Sequence, residues 1–232
     1  MLVDQDTALA AYGQVRGRLT ELLGDVADDT AAATVVPGCP AWSVTDTVAH
    51  LTGACLDIVE GNLEGVGTAA WADSQVARYS ELGLAGLLER WAQVGPVVES
   101  LAAGFPLAAA SQFVFDATTH EQDIRGALGR PGARDAESVL VGLGFMEVAI
   151  DSFVRSTSLP TLGVISPSWS ILAGEGVAKV TVEAPTFELF RSFGGRRSTE
   201  QLLALSWSGD AAPYLRIFDE SPLELRDEPL VE

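Results

Sequence analysis

Through most of its first 157 residues this chain sets apolar side chains three and four positions apart, and beyond Ser158 that rhythm gives way to short alternating runs. A period near 3.6 is buried when helices pack on helices, and a period of two when one face of a strand is covered. The pattern therefore restricts the fold to a helical bundle followed by a smaller portion of mixed strands and helices.

The first helix is expected over residues 7–26, with Ala8, Tyr12, Val15, Leu19, Leu22 and Val26 in one stripe. A second starts near Ser43, which with Asp46 forms a variant of the capping box. Its stripe is Val44, Val48, Leu51, Cys55, Ile58 and Asn62, and His50 lies about a third of a turn from the stripe centre. Such a position faces a second neighbour or a cavity. Residues 84–101 form a weaker helical pattern that Pro96 is expected to kink or divide. Another helix runs over 107–128, closed by Gly129 and Pro131, and a last one over 136–157. Residues 159–163 read as a linker. After it come a strand at 178–183, a helix at 186–193 stopped by Gly194-Gly195, a capping box at Ser198 and Gln201, a strand at 203–207 and a helix at 211–218.

The formal net charge is -18. Such a surface repels nucleic-acid phosphates and anionic lipid, so neither is expected as a main partner. Any anionic substrate needs a local positive group to hold it. The two cysteines, Cys39 in a turn before Pro40 and Cys55 on an apolar stripe, form no disulfide framework. The N-terminal residues do not read as a signal peptide and no stretch is apolar for long enough to span a bilayer, so a cytoplasmic protein is expected. Glycine-rich phosphate loops, a nucleophile elbow and a basic patch interleaved with aromatics are all missing from the sequence.

The chain has only two histidines, His50 and His120. Asp116 stands one helical turn before His120 on the same side, so the two side chains can meet one metal ion. A tight site needs a third ligand, and His50 is the remaining imidazole. Three protein ligands leave a coordination position open, as in catalytic zinc sites. On spacing alone the commoner reading is a core histidine hydrogen-bonded to a buried carboxylate.

The run Gly38-Cys39-Pro40-Ala41-Trp42-Ser43-Val44, followed by Asp46 and by His50-Leu51, resembles the opening motif of the mycothiol-dependent maleylpyruvate isomerase family, whose members are DinB-like metal-binding proteins. The stretch 116–131, with His120-Glu121-Gln122-Asp123-Ile124-Arg125, is similar to that family's second motif. The tail over 185–210, including Gly194-Gly195-Arg196-Arg197-Ser198, resembles its small C-terminal domain. The resemblance implies an α+β chain: a DinB-like four-helix-bundle domain at 1–158 and a small α/β domain at 165–232. It implies a divalent metal, expected to be zinc, held by His50, Asp116 and His120. It implies that Arg196 or Arg197 supplies an anion-binding group to the catalytic cleft. Asp123 is a candidate to orient the His120 ring, or else a solvated acid near a helix end. The isomerase has Glu where Asp116 stands, one methylene longer.

The function expected from these residues is an enzyme that uses a low-molecular-weight thiol, mycothiol, and acts as an isomerase or S-transferase on a small electrophilic substrate, as a monomer or homodimer. The alternatives are a metal-binding module without turnover, serving as a sensor or interaction domain, and a metal-dependent hydrolase.

Overall fold

The computed structural model describes residues 2–218 and 225–232. Met1, the first residue of the stretch read above for a signal peptide, and residues 219–224, within the expected C-terminal domain, lie outside the described residues. The chain divides into two compact units, one over Asp4–Gly132 and one over Ala133–Val231.

In the N-terminal unit, α1 (Gln5–Leu23) begins where the Asp4 carboxylate accepts from the Thr7 amide, and it buries Ala8, Tyr12, Val15 and Leu19. A short α2 (Asp28–Ala33) leads into a hairpin of β1 (Val35–Val36) and β2 (Cys39–Ser43). Cys39 is therefore not in the turn itself; it opens β2, opposite Val36, and the turn is Pro37-Gly38. The capping box of Ser43 and Asp46 starts α3 (Val44–Glu60), and Gly61 ends it in the left-handed region at φ 75°. Next come α4 (Ala69–Tyr79), a helix not among those expected above, α5 (Gly83–Ala102) and α6 (Leu107–Ala127). Pro96 neither ends nor divides α5. It removes one backbone hydrogen bond, but Leu84, Leu87, Trp91, Val94 and Val98 are buried on both sides of it and hold the helix in place.

Helices α1 and α3 each pack on both α5 and α6, which closes a four-helix bundle. Helix α3 is covered further by α2, α4 and β2, so it is buried without a break from Thr47 to Asp57. A helix enclosed on all sides is ordinarily apolar. This one also takes Thr45, Thr47, His50, Thr52 and Asp57 inside, and buried polar groups of this kind require partners. No helix among the described residues is long and apolar enough to cross a membrane.

The C-terminal unit holds α7 (Glu137–Ser156), β3 (Leu162–Ile165), β4 (Ser170–Ala173), β5 (Val180–Glu183), α8 (Thr186–Phe193), α9 (Thr199–Leu203) and β6 (Ser206–Ser208). The sheet order is β4-β3-β5-β6, with β3 and β5 parallel and the outer pairs antiparallel. The expected linker at 159–163 thus runs into a strand. The division between units also falls earlier than the expected 158–165, because α7 lays its apolar face on β4 and α8 and belongs with the sheet. The bundle keeps four long helices without it, since α5 is whole.

Candidate metal centre

His50 comes from α3, and Asp116 and His120 from adjacent turns of α6. Both imidazoles are buried, while the Asp116 side chain is 36% exposed and forms the wet edge of the group. His50 Nε2 lies 3.2 and 3.4 Å from the two Asp116 oxygens, and His120 Nε2 lies 3.6 Å from Oδ1. One donor atom from each residue falls within 4.8 Å of the others. A tetrahedral ion with bonds of about 2.0–2.1 Å needs donors about 3.3 Å apart, and Asp116 Oδ1 lies close to that distance from both rings, at 3.4 and 3.6 Å.

The far side of each ring decides which nitrogen faces the centre. His50 Nδ1 is 2.7 Å from Gln75 Oε1 on α4. Gln75 Nε2 donates to Asp57 Oδ2 at 2.7 Å, and that carboxylate also receives Arg78 Nη2 at 2.7 Å and Asn62 Nδ2 at 3.0 Å. An ionised carboxylate only accepts, so the amide NH2 must face Asp57 and the amide oxygen must face His50. His50 Nδ1 therefore donates, and in the neutral ring Nε2 carries the lone pair. His120 follows the same logic: its Nδ1 is 3.2 Å from the buried Asp123 carboxylate, which leaves Nε2 turned toward Asp116. With both rings neutral, three acceptors converge on one point, and either a proton on an imidazole or a metal cation can sit between them.

Without an ion, the same groups set the proton affinity of each ring. Burial pulls the His50 imidazolium down, but the Asp116 charge and the hydrogen bonds to Asp116 and Gln75 outweigh it and leave His50 above the ordinary histidine value. Burial dominates at His120 and holds it below that value, against the pull of Asp123 and Asp116. At Asp57 burial works upward, and the hydrogen bonds from Arg78, Gln75 and Asn62 overcome it, so the carboxyl sits below its usual range.

Trp42 on β2 covers both rings, with centroids 5.2 Å from His50 and 5.7 Å from His120, and Trp71 meets His50 edge-on at 6.5 Å. The hairpin approaches α6 closely because residue 38 is glycine: a Cβ there would lie 2.3 Å from Asp123 Oδ1. Cys39 Sγ is 3.5 Å from Asp123 Oδ2 and 4.0 Å from His120 Nδ1, which makes a second cluster of possible ligands on the opposite edge of the His120 ring. There the nitrogen is already committed to Asp123, so the Nε2 cluster is the better cation site.

The structure thus brings His50, Asp116 and His120 together and puts Asp123 behind His120. Arg196 and Arg197 belong to the other unit, in the turn after α8, and both are buried. Arg197 grips Glu188 through Nε and Nη2 at 2.5 and 2.9 Å, and Arg196 Nη1 donates to the Gly194 carbonyl at 2.8 Å. Sequence reasoning missed Gln75, Asp57 and Arg78. The available signal was the spacing of His50, Gly53 and Asp57, which share one face of α3.

No protein-family model and no curated protein sequence matches the chain. Two solved structures do, the mycothiol-dependent maleylpyruvate isomerase (TM-score 0.58) and a histidine-to-alanine mutant of it (TM-score 0.57). Each is 12% identical and covers 89% of this chain and 93% of its own. The chain therefore has the fold of the mycothiol-dependent maleylpyruvate isomerase, a DinB-like bundle with a small α/β domain.

Proposed function

We propose that the protein is a metal-dependent enzyme that activates a low-molecular-weight thiol, mycothiol, and acts as an isomerase or S-transferase on a small electrophilic substrate. One observation carries the metal part of this reading: His50 Nε2, His120 Nε2 and an Asp116 oxygen converge while both Nδ1 atoms are tied back to acceptors. The thiol part rests on the shared fold, because the solved structures of that fold are titled as those of a mycothiol-dependent isomerase.

A bound zinc ion supplies a position that favours the thiolate, the nucleophilic form of a thiol. The chain's own groups do the rest. Asp123 holds the His120 imidazole in the ligating tautomer. Trp42 walls the centre and keeps bulk water off the histidines, and Asp116 leaves one edge open to incoming molecules. Thiolate addition to an activated double bond, rotation and thiolate loss give cis–trans isomerisation. Addition or displacement alone gives S-transfer. Arg196 and Arg197 are kept as the anion-binding groups, and at Arg197 a substrate carboxylate has to compete with Glu188.

The test has two arms. Zinc reconstitution of protein without a histidine tag is expected to give one ion per chain, lost in His50→Ala and His120→Ala. Calorimetric titration of mycothiol into the zinc form is expected to give heat with a change in metal coordination. Silence there removes the thiol reading while leaving the metal centre.

A further inference from the structure

Of the eleven described residues of α4, only Gln75 is buried, and it is buried completely. A helix on the outside of a bundle ordinarily docks through an apolar stripe. Here half-buried Trp71, Ala72, Val76 and Tyr79 flank a primary amide at the most buried position, and burying an amide is unfavourable unless its hydrogen bonds are met. Those of Gln75 are met by two residues of one α3 face, His50 at one end and Asp57 at the other. Between these two residues α3 carries Gly53, where a Cβ would lie 2.6 Å from Gln75 Cβ and 2.9 Å from its Cγ. The backbone is thus left bare at the place where the amide chain crosses it. Arg78, one turn on from Gln75, anchors Asp57 from the same helix.

We propose that Gln75 is a positioning residue of the metal centre: held by Asp57 and Arg78, it fixes His50 in the tautomer that offers Nε2, and so couples the docking of α4 to metal loading. This rests on the metal reading of His50, Asp116 and His120, and is independent of the thiol chemistry. Direction comes from Asp57. A free amide can rotate end for end and present NH2 to His50, which selects the opposite tautomer, and a protonated Nε2 cannot ligate. A carboxylate behind the amide allows only one orientation. Because linkage is reciprocal, metal that binds the Nε2 form also stabilises docked α4.

The experiment uses the full chain and zinc alone. In the wild type, nitrogen-resolved NMR at alkaline pH, where the ring is neutral, is expected to show His50 protonated at Nδ1. Gln75→Met keeps the length and removes the amide, and is expected to weaken zinc binding about 10–100-fold in a chelator competition and to move His50 toward the Nε2-protonated form. Gln75→Glu sets two carboxylates against each other and is expected to weaken zinc similarly. Adding Asp57→Asn restores a donor behind residue 75 and is expected to recover most of that loss, which a merely structural role does not foresee. Amide exchange across 69–79 is expected to slow on zinc addition in the wild type and not in Gln75→Met. A wild-type His50 protonated at Nε2 overturns the proposal, as does Gln75→Met binding zinc within about twofold of wild type, a change well below that expected for a lost orienting partner. If Gln75→Met does not fold, the wild-type tautomer decides alone. A wild type without zinc affinity overturns the metal centre itself.

Discussion

Gly53→Ala isolates the close approach that puts Gln75 on His50. Alanine in place of an interior helical glycine contributes about 1 kcal/mol of helix propensity. At Gly53 the added methyl lies 2.6 Å from Gln75 Cβ and 3.0 Å from Tyr79 Cδ2, against an ordinary carbon contact of about 3.5–4.0 Å. Helix α4 must retreat by about 1 Å. That carries the 2.7 Å bond between His50 and Gln75 to the limit of hydrogen bonding. Overpacking of this kind costs about 1–3 kcal/mol, so the metal-free protein is expected to lose about 0–2 kcal/mol after the propensity gain. Zinc affinity is expected to fall about 10–100-fold, equivalent to about 1.4–2.7 kcal/mol. Gly17→Ala is the control. It lies on the exposed face of α1 with nothing within 4 Å of the new methyl, so the same substitution is expected to add about 0.5–1 kcal/mol and leave zinc untouched. Urea unfolding of the metal-free proteins and chelator competition measure the two quantities. Gly53→Ala that gains as much stability as Gly17→Ala, with wild-type zinc affinity, refutes the argument.

Other consequences can be checked on single variants. Asp123→Ala removes the acceptor behind His120 and is expected to weaken zinc about 10–100-fold; unchanged affinity in a chelator competition would deny Asp123 its role. Iodoacetamide is expected to label half-buried Cys39 in the native protein and Cys55 only after unfolding, since Cys55 is enclosed and burial pushes its thiol up to about 11. Native labelling at Cys55, read by peptide mass, contradicts the packing described. The Asp57 carboxyl lies below its usual range, so its contribution to stability is fully present above the unfolded value of about 3.9 and is lost as pH falls through the lower folded value. The stability gap between wild type and Asp57→Asn is expected to hold from neutrality to about pH 4 and to narrow below it; a gap independent of acid would mean that Asp57 is not held ionised.

What was legible in the sequence follows from what each residue type can signal. The bundle helices bury apolar faces, and their period survives in the sequence even across Pro96. His50 and His120 stand out because they are the chain's only imidazoles, and Asp116 because it is one turn from His120. Periodicity shows that a helix hides one face but not which neighbour hides it, so α7 read as part of the bundle although it packs on β4. Strand β3 was hidden by Pro160 and Gly163, which read as a linker, yet Gly163 is where a side chain would press on Ala178 and Thr181 at 3.2 Å. Helix α4 hides its centre for a different reason. Binary patterning encodes burial by apolar residues, and the α4 face of Trp71, Ala72, Val76 and Tyr79 has a glutamine at its most buried position. Its trace lies instead on the partner, in the row His50, Gly53 and Asp57: a ligand, a bare backbone and a carboxylate on a helix face that an apolar stripe does not explain. A buried helix face that carries polar groups on either side of a glycine has room for a crossing side chain and the chemistry to orient it, and that combination of residue types and spacing can be sought in amino-acid sequences directly.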